Sequence, residues 1–150
     1  APEVCNNLDD DCNSFMDEGF DLDGDGYTSC FGSDCDDQSP MVWSVPFEVQ
    51  NLHLRAGGLT QLDWSDMSSS VGPLTFYDVY TGSLSASPGI SFSSATCLSL
   101  GQMETSITDF QATPSRGSGY WYLLRALNSC GIGTFGAGSN EQERIVSNCP

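Results

Sequence analysis

The chain has 150 residues, with 20 acidic side chains, four arginines and no lysine, which gives a formal net charge of −16. Nucleic-acid binding needs cationic side chains that displace counterions from phosphate, and an anionic membrane would repel this chain, so both classes are all but excluded. No apolar run reaches the roughly 18–20 residues that span a bilayer. Seven cysteines and the first residue, Ala1, predict a processed, exported chain in an oxidising extracellular space.

The charge is concentrated at the N-terminus. Residues 1–40 hold 12 of the 20 acids, four of the seven cysteines and no basic side chain. The composition changes across Gln38–Pro46, which predicts an acidic module at 1–40, a linker at 41–46 and a second domain at 47–150. A module of this size with few large apolar residues cannot fold on burial alone, so it needs disulfides or metal ions.

Alternating carboxylates after residue 20 predict a metal-binding loop, called here the second loop. In the run D-L-D-G-D-G-Y, a tight turn points alternate side chains at one ion, and the glycine in sixth place permits the bend, as in an EF-hand. The twelfth place holds Gly32 rather than the glutamate of an EF-hand, so later carboxylates must complete the site. The predicted ligands are Asp21, Asp23, Asp25, the Tyr27 carbonyl, and one or two of Asp34, Asp36 and Asp37.

A weaker version of the same pattern, called here the first loop, precedes it. All of its candidate donors are oxygen atoms, which makes Ca²⁺ the favoured metal, and two ions per chain are predicted. The alternative is a solvated acidic loop, but 12 acids without a counter-cation would repel one another strongly. The predicted ligands of the first loop are Asp9, Asp11, Asn13, the Phe15 carbonyl, and Asp17 or Glu18.

Residues 3–37 resemble the MopE-type metal-binding motif of secreted bacterial surface proteins. That motif reads roughly C-N-G-x-D-D-D-C-D-G-x-x-D-E-x-x-D-x-D-G-D-G-Y-x-x-C-x-G-D-C-D-D. This chain departs from it at Asn7, at Asn13-Ser14, which replace Asp-Gly, and at one additional residue, Ser33. The family name is associated with copper, but copper prefers soft or imidazole ligands. The single histidine, His53, lies outside the motif, and the cysteines are expected to form bridges.

The second domain shows short alternating runs separated by turn signals, without a helical pattern. This predicts a mainly β fold, in which the disulfide- and metal-stapled loop module is followed by a seven-stranded sandwich of the immunoglobulin or fibronectin type III kind. The predicted strands are Phe47–Leu54, Leu59–Trp64, Thr75–Tyr80, Gly89–Ser93, Thr105–Phe110, Tyr120–Asn128 and Glu143–Asn148.

Several details resemble a fibronectin type III domain over roughly residues 46–149. Leu62-x-Trp64 sits where that family has the tryptophan of its second strand. Tyr77-x-Val79 fits the third strand, and the run from Tyr120 to Asn128 with the Cys130-Gly131 turn fits the sixth. The resemblance implies a two-sheet sandwich like those that follow MopE-type motifs in bacterial surface proteins.

Alternation along the third and sixth strands predicts an apolar outer face. If Tyr77, Val79, Leu124 and Ala126 face the core, the opposite parity places five large apolar side chains together on the outside. A patch of this size usually marks an interface, so we expect self-association into homo-oligomers or filaments. The alternative is that the module or a long loop covers the face. The predicted interface comprises Phe76, Tyr80, Trp121, Leu123 and Leu127.

Seven cysteines cannot all pair within one chain. The predicted strands place Cys97 and Cys130 at one pole of the sandwich and Cys149 at the other. Bridged Cα atoms lie about 4.4–6.8 Å apart, so we expect a Cys97–Cys130 bridge with Cys149 left over. The module's four cysteines allow three pairings, of which the simplest is Cys5–Cys12 with Cys30–Cys35.

Catalysis is not expected, and no catalytic residue is assigned. A Ser-His-Asp triad could use only His53, and the sequence has no G-x-S-x-G elbow, G-x-G-x-x-G fingerprint or P-loop. The sequence therefore predicts a non-catalytic, calcium-stabilised structural or assembly module of the cell surface, such as a filament subunit. The alternatives are an adhesive ligand-binding module, and a protein that binds copper or another metal.

Overall fold

The computed structural model describes residues 2–32, 34–84, 92 and 95–146. As predicted, the fold is mainly β: two antiparallel sheets consistent with a β-sandwich follow the loops of the acidic module. The module contains two short 3-10 turns, Glu18–Phe20 and Cys30–Gly32. Among the described residues, no helix is long and apolar enough to cross a membrane.

Seven strands and one short helix form the described part of the sandwich. One sheet has the order β1-β2-β5 and the other β4-β3-β6-β7. The order is consistent with the predicted sandwich, while its assignment to the fibronectin type III family stays a prediction. The elements are β1 His53–Ala56, β2 Thr60–Asp63, α1 Ser68–Val71, β3 Phe76–Leu84, β4 Thr96–Gln102, β5 Ser106–Asp109, β6 Gly119–Asn128 and β7 Gly131–Ile132.

The predicted elements differ from the structure in several places. The strand predicted at Phe47–Leu54 overlaps β1 only at His53 and Leu54, and neither α1 nor β4 was predicted. The sequence of β4, T-C-L-S-L-G-Q, is rich in small residues, its Gly101 has a φ of 62°, and its pairing with β3 is irregular, so its alternation is weak. The strand predicted at Gly89–Ser93 lies outside the described residues except for Phe92.

The end of the chain also differs from the prediction. The last strand, β7, pairs with β6 directly after a two-residue turn, whereas a strand was predicted at Glu143–Asn148. In the described part of that segment, Glu143 forms an isolated bridge with Ala137. Residues 147 and 148 lie outside the described residues.

The main core lies between the two sheets and confirms the predicted side-chain parity. Tyr77 and Val79 of β3 and Leu124 and Ala126 of β6 all face inward. The backbone N–H of Met67 donates to the Tyr77 hydroxyl at 2.9 Å, which satisfies that buried oxygen. The buried members of this cluster are Val49, Leu62, Trp64, Met67, Val71, Tyr77, Val79, Leu124 and Ala126.

The outer face of β3 and β6 is not the open patch that was predicted. Tyr80 is 2% exposed and Trp121 is 7% exposed, because Phe135 and Val146 from the chain after β7 pack over them. Phe92 also contacts the Trp121 ring edge-on, with a centroid distance of 5.1 Å. Of the other residues in the predicted interface, Phe76, Leu123 and Leu127 are half-buried. The chain after β7 therefore covers this face, as in the alternative of a covering loop.

A buried ion pair supports the covered face. The Arg125 guanidinium lies 3.1 Å from the Asp78 carboxylate and donates to the Tyr80 hydroxyl at 3.1 Å. The same guanidinium lies over the Phe135 ring, 5.0 Å from its centroid. A cation held between two aromatic rings and a carboxylate links β3, β6 and the covering segment.

The disulfides differ from the predicted pairs. Cys130 bonds to Cys35 rather than to Cys97, which is disulfide-bonded elsewhere. The β-sheet register explains this: Cys97 lies level with Leu123, because both pair with Tyr80, and Leu123 is roughly 17 Å before the end of β6 that leads to Cys130. In the module, the bridge is Cys5–Cys30, and among the described cysteines Cys12 is free. The prediction that Cys149 is left over lies outside the described residues.

The packing of Trp121 on Gly82 gives a test of the covered face. A Cβ atom at Gly82 would lie 2.3 Å from Cζ2 of Trp121, so Gly82→Ala must displace the indole. We expect Gly82→Ala to lower the free energy of unfolding of the sandwich by about 1–3 kcal/mol in urea titrations. Gly57→Ala is the matched control, because a Cβ atom there would meet nothing within 4 Å beyond its own chain neighbours. Equal stability of the two variants would contradict the described packing.

Candidate metal centre

The second loop is organised by hydrogen bonds from its own backbone to its carboxylates. The N–H groups of Gly24 and Gly26 donate to the two oxygens of Asp21 at 2.7 and 3.1 Å. Asp23 Oδ1 accepts the N–H of Asp25 at 3.1 Å, and Asp25 Oδ1 accepts the N–H of Tyr27 at 2.8 Å. One oxygen of Asp23 and one of Asp25 are thus used inside the turn, which directs the second oxygen of each elsewhere.

Three carboxylate oxygens at this loop are buried and lack a described hydrogen-bond partner: Oδ2 of Asp23, Asp25 and Asp34. Oxygen atoms from Asp21, Asp23 and Asp25 lie within 4.8 Å of one another. Asp34 is 6% exposed, and its charge acts on Asp23. Buried carboxylate oxygens without a donor are costly, and a cation is the group that would satisfy several at once.

Of the three carboxylates predicted to complete the second loop, only Asp34 has a buried oxygen without a described hydrogen-bond partner. Its Oδ1 accepts the N–H of Asp36, which leaves Oδ2 available. The other two predicted candidates make different contacts: Asp36 accepts a hydrogen bond from the Ser129 hydroxyl at 2.9 Å, and Asp37 accepts the N–H of Leu22. Asp34 is therefore the remaining candidate ligand, because Asp36 and Asp37 each accept a hydrogen bond from another part of the chain.

The electrostatics of the second loop favour a cation. Burial, together with the charges of Asp25, Asp34 and Asp21, raises the pKa of the Asp23 carboxyl above its usual range. The raised pKa means that the loop disfavours the ionised carboxylate in the absence of a counter-charge. A divalent cation among these oxygens would reverse that effect, so the residues present fit a metal ion.

The first loop repeats the backbone geometry of the second. Asp9 accepts the N–H groups of Asn13 and Ser14, as Asp21 accepts those of two glycines. Asp11 Oδ1 accepts the N–H of Asn13 at 3.0 Å, and Asn13 Oδ1 accepts the N–H of Phe15 at 2.8 Å. The left-handed residues also correspond, with φ angles of 65° and 81° at the fourth and sixth places, against 79° and 91° in the second loop. The two loops therefore share most of this backbone pattern, with an offset of 12 residues; they differ in that Asp9 accepts the N–H of Asn13, where the equivalent of the Gly24 bond would come from Cys12.

The carboxylates gathered at the first loop differ from the prediction. Oxygens from Glu3, Asp11 and Glu18 lie within 4.8 Å of one another. Asp17, one of two predicted alternatives, is 3% exposed, and its oxygens accept the N–H groups of Asn6 and Asn7. Asp17 thus anchors the N-terminal segment of the loop, and Glu18 is the candidate ligand.

Glu3 was missed because its place in the sequence lies outside the alternating run. Its Oε1 accepts the N–H groups of Asp10 and Asp11, and its Oε2 accepts the N–H of Asp17. Asn13 donates its side-chain amide to Glu18, so the amide nitrogen, rather than the amide oxygen, contacts this carboxylate. At the alternating first, third and fifth places, the first loop therefore has two carboxylates where the second has three. The first loop also has a neighbouring carboxylate from outside the run, that of Glu3.

The family comparison covers the first loop and the residues from Asp34 onward. The model of the Cu-binding MopE family, described as a "Putative metal-binding motif", matches residues 1–18 and 34–51. The chain carries a MopE-type metal-binding motif at its N-terminus. The first matched segment contains all the predicted ligands of the first loop, and the second begins at Asp34. Asp21, Asp23 and Asp25 lie in the stretch between the two segments, which the family model does not match. No curated protein matches the chain.

The MopE-type match extends beyond the acidic module. The run P-F-E-V-Q-N-L at 46–52 has the same length as P-E-V-C-N-N-L at 2–8 and shares its proline, asparagine and leucine at the first, sixth and seventh places. Asn7 and Asn51, at the same place in the two runs, have φ angles of 58° and 56°. Glu48, also within the second matched segment, lies 3.7 Å from Arg144. The second matched segment therefore extends through the predicted linker and ends just before β1.

Position six of each loop gives a reciprocal test. Ser14 has a φ of 81°, where a Cβ atom costs about 1 kcal/mol that glycine avoids. We expect Ser14→Gly to tighten metal binding by the first loop about fivefold, and Gly26→Ser to weaken binding by the second loop to a similar degree. Calorimetric titration of each variant with Ca²⁺ measures both effects. If Ser14→Gly leaves both affinities unchanged while Gly26→Ser weakens one, the two loops are not equivalent.

Asp34 and Asp36 provide a matched pair of substitutions. Asp34→Asn removes a buried charge with an unpartnered oxygen, so we expect the affinity of the second loop for Ca²⁺ to fall at least tenfold. Asp36→Asn keeps an oxygen that can accept from Ser129, so its affinity should stay within about twofold. Equal losses in the two variants would show that the general negative charge, rather than Asp34 itself, binds the metal.

Proposed function

We propose that the acidic module binds two Ca²⁺ ions and that these ions stabilise a non-catalytic structural protein of the extracellular space. The observation that carries this proposal is the set of buried, unpartnered carboxylate oxygens of Asp23, Asp25 and Asp34. No basic side chain occurs in residues 1–40 to neutralise them. Metal binding then supplies folding free energy to a segment that exposes most of its large apolar side chains.

The donor chemistry favours Ca²⁺ over other divalent cations. Carboxylate, amide and carbonyl oxygens are hard ligands, and Ca²⁺ accepts six to eight of them in a flexible arrangement. Mg²⁺ demands a near-octahedral shell and retains several waters, so a loop crowded with carboxylates suits it less. The repeated loop geometry supports one ion in each loop.

Copper is the alternative suggested by the name of the matching family. One observation favours it: Cys12 is a free, exposed thiol between Asp11 and Asn13, and thiolates are good ligands of Cu(I). Two observations oppose it. His53 lies in β1, outside the module, and Cys5 and Cys30 are consumed in a disulfide.

The disulfides support an extracellular location, because such bonds persist in oxidising compartments. Assembly into homo-oligomers or filaments stays a prediction. The face from which assembly was predicted is covered by Phe135 and Val146, so a contact between copies would have to use another surface. The exposed apolar side chains of the module, such as Phe15, Phe31 and Leu22, provide such a surface.

Adhesive ligand binding is favoured by one feature of the sandwich. A cleft at one end is lined by Leu54, Leu59, Pro114 and Tyr120. At its floor the Tyr122 hydroxyl donates to the buried Asp109 carboxylate at 2.6 Å, and burial with this bond raises the pKa of Tyr122 to about 12. A ligand in this cleft would not require metal, which separates this function from the proposed one.

Calorimetry with chelator-treated protein tests the proposed function. We expect uptake of about two Ca²⁺ ions per chain, with Mg²⁺ binding more weakly, because the sites consist of crowded carboxylates. A parallel titration with Cu(I), under conditions that keep the copper in that oxidation state, compares wild type with Cys12→Ser and tests the copper alternative. The proposal is wrong if Ca²⁺ is not taken up, or if Cu(I) binds tightly and is lost with Cys12→Ser while Ca²⁺ has no effect.

A further inference from the structure

The acidic module meets the sandwich at one dense junction, formed by the predicted linker. Val42 is fully buried there, and the N–H groups of Trp43 and Ser44 both donate to the Val71 carbonyl. The N–H of Leu74 donates to the Met41 carbonyl at 3.0 Å. These bonds attach residues 41–44 to the chain around α1, so this segment is a packed junction rather than a free tether.

The same junction is bonded to the turn between β6 and β7. Cys35 forms its disulfide with Cys130 in that turn, and Ser129 donates its hydroxyl to Asp36. Asn128 donates its side-chain amide to the Ser44 carbonyl at 2.8 Å. The residues that follow Asp34 are therefore part of the sandwich surface, although they belong to the acidic module by composition.

The candidate ligands of the second loop lie on both sides of this junction. Asp21, Asp23 and Asp25 belong to the loop of the module, whereas Asp34 immediately precedes the disulfide to the sandwich. Asp34 is more than nine-tenths buried, and its Oδ2 has no described partner. An ion bound by all four carboxylates would therefore join the loop to the sandwich-bound segment.

Aromatic stacking makes a second connection at the same place. The ring of Tyr27, in seventh place of the second loop, lies parallel to the Trp43 indole at a centroid distance of 4.8 Å. The Trp43 indole nitrogen in turn donates to the Ser70 carbonyl of α1 at 3.0 Å. Stacking and this hydrogen bond thus connect the second loop, through Tyr27 and Trp43, to α1 at the edge of the sandwich.

The first loop has no comparable link among its described contacts. The carboxylates of Asp9, Asp11 and Asp17 accept hydrogen bonds from residues 6–14 of the module itself. The two loops therefore have similar internal geometry but different positions, one at the junction and the other within the module.

From these observations we propose that the ion of the second loop is a clamp that fixes the acidic module against the sandwich, while the ion of the first loop only orders the module. This proposal rests on the proposed function, since it requires a cation in the second loop. Without the cation, the three buried carboxylate oxygens repel one another, and separation of Asp34 from the loop relieves that repulsion. With the cation, the same oxygens attract a common centre and close the junction.

Amide hydrogen exchange tests the clamp, with chelated protein and Ca²⁺ alone as the ligand. We expect Ca²⁺ to slow exchange of the Leu22 and Asp34 amides at least tenfold, because their hydrogen bonds to Asp37 and Thr28 join the second loop to the sandwich-bound segment. Asp34→Asn should abolish this slowing. Asp11→Asn, which alters only the first loop, should retain it. Amides of the β3–β6 ladder serve as internal controls and should not respond in any variant.

Calorimetry on the same samples separates failure of the clamp from failure of the proposed function. If Ca²⁺ is bound but the Leu22 and Asp34 amides do not respond, the Cys35–Cys130 disulfide alone holds the junction and the clamp is refuted. If no Ca²⁺ is bound, the proposed function itself fails. A response that survives Asp34→Asn but is lost in Asp11→Asn would also overturn the clamp, because it would assign the junction to the first loop.

Discussion

Repulsion among carboxylates in a segment without cations is the constraint on which the N-terminal part of the molecule depends. Residues 1–40 carry 12 acidic side chains and no basic one, and most of their large apolar residues are exposed. Burial contributes little there, so the backbone is held by other means. One disulfide within the module, one to the sandwich, and hydrogen bonds from amides to carboxylates supply the order of this segment.

The amide-to-carboxylate bonds explain how the same acids both shape the loops and prepare them for an ion. In each loop the first oxygen of a carboxylate accepts an N–H two residues along, which closes a tight turn. In the second loop the other oxygens of Asp23 and Asp25, like one oxygen of Asp34, are buried without a described hydrogen-bond partner. The sandwich contributes by fixing the segment after Asp34 through the bond between Cys35 and Cys130. The site therefore depends on the whole fold, although its donors are local.

Local patterns were sufficient to predict much of this structure. The spacing of Asp21, Asp23 and Asp25 is a property of consecutive residues, and so is the side-chain alternation that places Tyr77 and Leu124 in the core. The turn that follows β6 was also predicted, because a strand pattern and a turn signal lie next to each other.

The features that were missed depend on contacts between distant residues. The Cys35–Cys130 bridge spans 95 residues, and no local signal distinguishes it from Cys97–Cys130. The difference between Asp34 and Asp36 likewise depends on a distant residue, because the Ser129 hydroxyl donates a hydrogen bond to the Asp36 carboxylate. Trp121 was predicted to be exposed because alternation shows which side of a sheet a residue faces, but not what later covers that side.

The Ca²⁺ dependence of the module's stability is the measurement that tests this account most directly. Equilibrium unfolding of the module should be followed by amide exchange of residues 2–32 over a range of free Ca²⁺, at constant ionic strength set with Na⁺. If two ions bind only the folded module, each tenfold rise in Ca²⁺ above saturation should add about 2.8 kcal/mol to its free energy of unfolding. Stability that is independent of Ca²⁺ would contradict the account, because disulfides and amide bonds would then suffice against the carboxylate repulsion.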